Sequence, residues 1–130
     1  RVFEYVQFDL EKGVVKFSAS IPYIPRESWL MSTARIVPQR SYGLAVKGAI
    51  FGEPTPILLD FAGDYHFARG DAKMATTRQV SLGDVVFRQV PTLLLPIHNS
   101  PPRAGRKLLE NYIVTICNNE GVVYFERPPE

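Results

Sequence analysis

The sequence has one cysteine, two histidines and no long apolar run, and each scarcity closes off a class of protein. With Cys117 alone, no internal disulfide framework can form, which suits a reducing compartment. The absence of any Asn-x-Ser/Thr acceptor points the same way, so the expected location is intracellular, in the cytoplasm. His66 and His98 stand in no C-x-x-C, H-x-x-x-H or H-E-x-x-H spacing, so neither a metal nor any other cofactor is expected. Neither of the glycine patterns that cradle phosphates, G-x-x-x-x-G-K-S/T and G-x-G-x-x-G, is present. The longest apolar stretches, such as Leu93-Leu94-Leu95, fall far short of the about twenty residues that span a bilayer, so no transmembrane segment is expected. The chain opens on Arg1 rather than Met, as a fragment, a processed product or an ordered core would.

What is present reads as one folded domain over residues 1–130. A chain of that length buries about two-thirds of the surface its unfolded form exposes, enough to fold without a staple. With 45% hydrophobic and 22% charged residues, the composition is that of a globular protein rather than a disordered one. The formal net charge is +2, unevenly spread. Residues 33–109 carry ten basic side chains against five acidic ones, whereas residues 110–130 carry Arg127 against four glutamates. Ten of the fifteen cationic side chains are arginines, which suit bidentate contacts to phosphate.

Short strand signals recur with turn residues between them. Val2 to Phe8 and Val14 to Ser20 flank an Asp9–Gly13 turn and read as a hairpin. Glu27 to Met31 reads as one helical turn. The period-two pattern from Tyr42 to Phe51 and from Ile57 to Phe61, joined by Gly52-Glu53-Pro54-Thr55, is the strongest hairpin signal. Gln79 to Val90 gives one or two strands around Gly83-Asp84, and Thr92 to Ile97 another. Arg103 to Glu110 reads as a short helix after Pro101-Pro102. Tyr112 to Cys117 and Val122 to Glu126 close the chain as a last hairpin. The expected fold is therefore all-β: a single antiparallel β-sandwich or jelly roll of about eight strands, with one or two short helices.

Residues 63–77 form a polar stretch without a confident element, and long loops in compact domains are often functional. Asp64, His66 and Arg69 within it are the candidate ligand-binding residues. Arg103, Arg106 and Lys107 form the one basic cluster; with Lys73 and Arg78 they are the candidate contacts to single-stranded nucleic acid. For catalysis, His66, Asp84 and Cys117 can be written as a triad. However, Cys117 ends the apolar run Ile113-Val114-Thr115-Ile116, where a cysteine is usually a small buried hydrophobe. Asp60, Asp64, Asp71 and Asp84 are the carboxylates available for paired acid–base work, but sequence does not give their separation. No catalytic residue is assigned and the expected protein is not an enzyme.

Leu44 to Phe51, Ile57 to Phe61 and His66-Phe67-Ala68-Arg69 partly resemble the glycan-binding strands of galectins. Ile116-Cys117-Asn118 and Glu126-Arg127 are similar to the later elements of that pattern. Ala68 stands where the motif has asparagine, and Trp29 lies outside the last element. The resemblance implies a lectin-like glycan site around His66 and Arg69. Three functions are thus expected to compete. The first is a structural or assembly module, such as a viral structural protein, that self-associates or binds a protein partner. The others are single-stranded nucleic-acid binding and glycan binding.

Overall fold

The computed structural model describes residues 4–18, 22–38, 43–70, 75–95 and 101–129. These residues form a mainly β structure of eleven strands and one four-residue helix. The chain begins with the hairpin β1 (Tyr5–Asp9) and β2 (Val14–Ser18), then adds β3 (Leu30–Val37). A second hairpin follows, β4 (Leu44–Ile50) and β5 (Glu53–Asp60). Short β6 (Phe67–Arg69) precedes a long hairpin of β7 (Thr76–Leu82) and β8 (Val85–Leu94). Then come β9 (Arg103–Gly105), helix α1 (Arg106–Leu109), and the hairpin β10 (Ile113–Cys117) and β11 (Val122–Glu126).

Six of these strands close a ring. The order β4-β5-β9-β6-β8-β7 returns to β4 through Gly48↔Leu82 and Ile50↔Val80. Two of the six contacts are parallel, β5 with β9 and β6 with β8. Inward positions fill the ring: Val46, Ile57, Phe67, Val80, Leu82, Val90 and Ala104 are all buried. A five-stranded antiparallel sheet, β2-β1-β10-β11-β3, packs beside the barrel. Val114, Val123 and Phe125 of that sheet join the same apolar cluster, with Leu108 and Leu109 of α1. Strand β3 is shared, pairing with β11 along most of its length and reaching β4 at Ile36 and Val37.

A closed barrel with an attached sheet replaces the expected sandwich or jelly roll, and eleven strands replace about eight. Period-two alternation reports that a strand has one buried face, not which strand lies beside it, so ring closure leaves no local signature. Helical order over Arg103–Glu110 is confined to Arg106–Leu109, because Arg103–Gly105 is drawn into the ring by Leu58↔Arg103 and Leu59↔Ala104. At Glu27–Met31 the Leu30 amide donates to the Arg26 carbonyl at 3.0 Å, but from Leu30 onward the chain pairs with β11. Phe67–Arg69 is a strand inside the expected polar loop, where Ala104 and Thr92 both pair with Phe67. Tyr42, Asp71, Lys73 and His98 lie outside the described residues.

Phe67 is wholly buried at the centre of the ring. Phe67→Ala is expected to cost ~3–5 kcal/mol, the usual range for removing a buried phenylalanine side chain, read from the shift in urea unfolding midpoint.

Candidate functional site

Strand β5 alternates buried Ile57 and Leu59 with Leu58 and ends on Asp60, which is only partly buried. Its parallel neighbour β9 brings Gly105 level with Asp60. The loop after Asp60 is stapled back onto this junction by main-chain bonds. Gly105 N–H donates to His66 O at 2.9 Å, Arg106 N–H to Gly63 O at 2.9 Å and Lys107 N–H to Tyr65 O at 3.2 Å. Such close approach requires the missing side chains. A Cβ on Gly63 would lie 2.6 Å from Asp60 Oδ2, and one on Gly105 would collide with the Tyr65 carbonyl oxygen.

The stapled loop presents Tyr65, whose hydroxyl donates to Asp60 Oδ2 at 2.5 Å. Burial, then the hydrogen bond to Asp60, push the Tyr65 phenol up to about 12, with the Arg103 guanidinium opposing. Asp60, Arg103, Leu58, Leu59 and Gly43 line a cavity of about 240 Å³. Arg103 Nε is buried with no hydrogen-bond partner among the described residues. Buried donors are rarely left so.

A second, apolar feature is built from the residue after Asp60 and the β1–β2 hairpin. Phe61, next to Asp60, stacks on Phe8 of β1 with ring centroids 4.0 Å apart. Phe8 is level with Val15 and Val6 with Phe17, so all four share one face of the β1–β2 hairpin. Val15 is 44% exposed and Phe17 58%, high for side chains of this size.

The residues singled out from sequence fall in three places. Arg106 holds Asp64 at 2.7 Å and Glu110 at 3.2 Å, and Lys107 reaches Asp64 at 3.8 Å. The basic cluster and the ligand-binding candidates therefore meet, and much of the cluster's charge is matched by carboxylates. Arg103 turns from that surface to the Asp60 cavity. Arg69 ends β6, where its carbonyl accepts from Leu95 N–H at 3.1 Å, and His66 lies in the stapled loop. Arg78 is exposed on β7, away from both groups in the sheet order. Cys117 is buried, its thiol pushed up to about 12 by burial and by nearby Glu120, so it is no nucleophile. No group of three or more metal-ligating side chains occurs among the described residues.

Sequence reading included Asp60 among four aspartates but could not rank it. Its partners Tyr65 and Arg103 come from a loop and from a strand forty-three positions later, and only the parallel β5–β9 register joins them. Compared with known proteins, the chain matches no family model, no curated protein and no solved structure.

Two measurements check this description. Unfolded tyrosine loses its proton near pH 10, whereas Tyr65 in the folded chain keeps it to about 12. Tyr65 therefore leaves stability unchanged below pH 10 and erodes it between about pH 10 and 12, where only the unfolded chain ionises. Tyr65→Phe should make the alkaline decline in urea midpoint shallower over that window. Cys117 in the native protein should react with a thiol reagent at pH 8 on the order of a thousandfold more slowly than in the unfolded chain.

Proposed function

We propose that this protein works as a self-associated pair in which Asp60 is the acid–base group of a hydrolytic site for peptide bonds. The observation that carries the reading is the cavity lined both by Asp60, whose carboxylate is fixed by Tyr65, and by Arg103. Hydrolysis of an amide needs a base for the attacking water and an acid for the carbonyl oxygen or leaving nitrogen, and one carboxylate cannot serve both roles in one step. In a two-fold pair a residue lying at the axis meets its own copy, and the reading puts Asp60 there, so that the second group is its symmetry mate. Two adjacent carboxylates share one proton because both cannot ionise side by side, the arrangement aspartic proteases use. The ionised carboxylate takes a water proton as the water oxygen bonds to the carbonyl carbon, and the neutral one donates to the carbonyl oxygen. Collapse of this tetrahedral diol then breaks the C–N bond. The proton just taken passes to the leaving nitrogen, and a diol proton returns to the other carboxylate. The Arg103 guanidinium, from the same cavity lining, adds positive charge beside the substrate. The exposed Val15 and Phe17 of the β1–β2 hairpin supply apolar surface that supports association of a second copy.

A second reading keeps self-association without chemistry: a structural module that assembles through β2. That strand ends the sheet order with Val14, Val15 and Phe17 exposed, a form of edge that invites added strands. Nucleic-acid binding through Arg103, Arg106 and Lys107 is less favoured, since Asp64 and Glu110 offset two of the three charges and Arg103 faces the cavity.

Light scattering across a concentration series, coupled to hydrolysis of a mixed unstructured peptide pool from pH 3 to 7, separates these readings. The acid–base reading expects a dimer, a bell-shaped rate profile as a coupled pair titrates, and activity per chain that rises with dimer fraction. Asp60→Asn should lower the rate by roughly a thousandfold or more while leaving fold and association intact. A folded dimer with no hydrolysis at any of these pH values leaves the structural reading in place. A strict monomer at ~50 μM removes both.

A further inference from the structure

The five-stranded sheet has a second face, turned from the barrel, and it carries a groove unrelated to Asp60. Along β1 the residues alternate, so Val6 and Phe8 turn to the core side while Tyr5, Gln7 and Asp9 turn outward. Residues 22–29 arch over this outer face and leave a cleft of about 490 Å³, within the range of small-ligand pockets. The arch is held by a buried anchor. Glu126 is 1% exposed, and its carboxylate accepts the Tyr23 hydroxyl and the Arg26 main-chain N–H, the latter at 3.0 Å. The wall of the cleft is thus built by tertiary contacts rather than left as a loop.

Two kinds of side chain converge in it. Tyr5 and Tyr23 pack with ring centroids 5.1 Å apart, and the Arg26 guanidinium lies 4.1 Å over the Trp29 ring. These are flat surfaces of the kind on which a base stacks. Lys12, Lys16 and Arg26 line the cleft against a single acid, Asp9, whose Oδ1 already accepts the Lys12 main-chain N–H at 3.2 Å. None of the three cations is in an ion pair among the described residues. Uncompensated positive charge beside flat aromatic groups matches a ligand that is both anionic and aromatic.

We propose that this groove binds a nucleotide unit, its base stacked among Tyr5, Tyr23 and Trp29 and its phosphate held by Lys12, Lys16 and Arg26. The unit comes either as a free nucleotide or as one residue of a single strand, and the chemistry of recognition is the same. Trp29, the one tryptophan of the chain, sits in the wall and reports occupancy directly.

The test is titration of Trp29 fluorescence in the 130-residue chain with AMP, adenosine, ribose 5-phosphate, a ten-residue oligo-dT and a glutamate-rich peptide. Saturable quenching by AMP or by oligo-dT is expected, with adenosine and ribose 5-phosphate each at least about tenfold weaker because each lacks one half of the ligand. Quenching by AMP assigns a free nucleotide, and quenching by oligo-dT alone assigns a strand. Lys12→Ala with Lys16→Ala, both at exposed positions, should weaken binding about tenfold or more without changing the unfolding midpoint. Binding should also weaken as salt rises. No saturable response to AMP or oligo-dT, an unchanged affinity in the double variant, or equal binding of ribose 5-phosphate or the acidic peptide would overturn the proposal.

Discussion

The parallel pairing of β5 with β9 is the contact on which both the barrel and the Asp60 cavity depend. Without Leu58↔Arg103, Leu59↔Ala104 and Asp60↔Gly105, the ring β4-β5-β9-β6-β8-β7 is open and two edges are left bare. The same three pairs bring Arg103 into the cavity lined by Asp60 and set the β9–α1 junction where the 63–66 loop is stapled. Leu58 N–H adds a bond to the Pro102 carbonyl at 2.9 Å, extending the contact one residue upstream. A parallel pair needs a long connection, and here more than forty residues intervene between the partners. That connection itself carries three strands of the barrel wall, β6, β7 and β8.

How much of this was legible in the sequence follows from the range over which each feature is encoded. Hairpins are local, and the β1–β2, β4–β5 and β10–β11 pairs were all readable from alternation and turn residues. Strand β3 was not, because Leu30 to Val37 carries Ser32, Thr33 and Arg35 among its apolar residues and is fixed as a strand by β11. Strand β9 was lost to a helix reading because Arg103-Ala104-Gly105 has no β-branched or aromatic residue. Its register comes wholly from β5 and β6.

The site divides in the same way. Cys117 as a buried hydrophobe was readable from its apolar run and agrees with its 1% exposure. The Arg103–Lys107 cluster was readable as charge but not as three different environments, since that depends on Asp64 and Glu110 in space. Tyr65 as the partner of Asp60 had a local clue in the small Gly63 between them, which admits the ring against the carboxylate. Glu126 read only as the last residue of the final hairpin, and in the structure it is the buried anchor of residues 22–26.

The sheet beside the barrel joins the two ends of the sequence, and this sets an order of events during synthesis. Val6 pairs with Ile116 and Phe8 with Val114, so strand β1 has no permanent neighbour on that side until β10, far along the chain, has been made. Meanwhile the β1–β2 hairpin carries Val15 and Phe17 largely exposed on the face it shares with Phe8. Pairings this distant close slowly. A nascent chain stalled before β10 thus displays a sticky ribbon to every other copy on the same message. The apolar face of the β1–β2 hairpin is therefore the one most in need of shelter while the rest of the sheet is still being built.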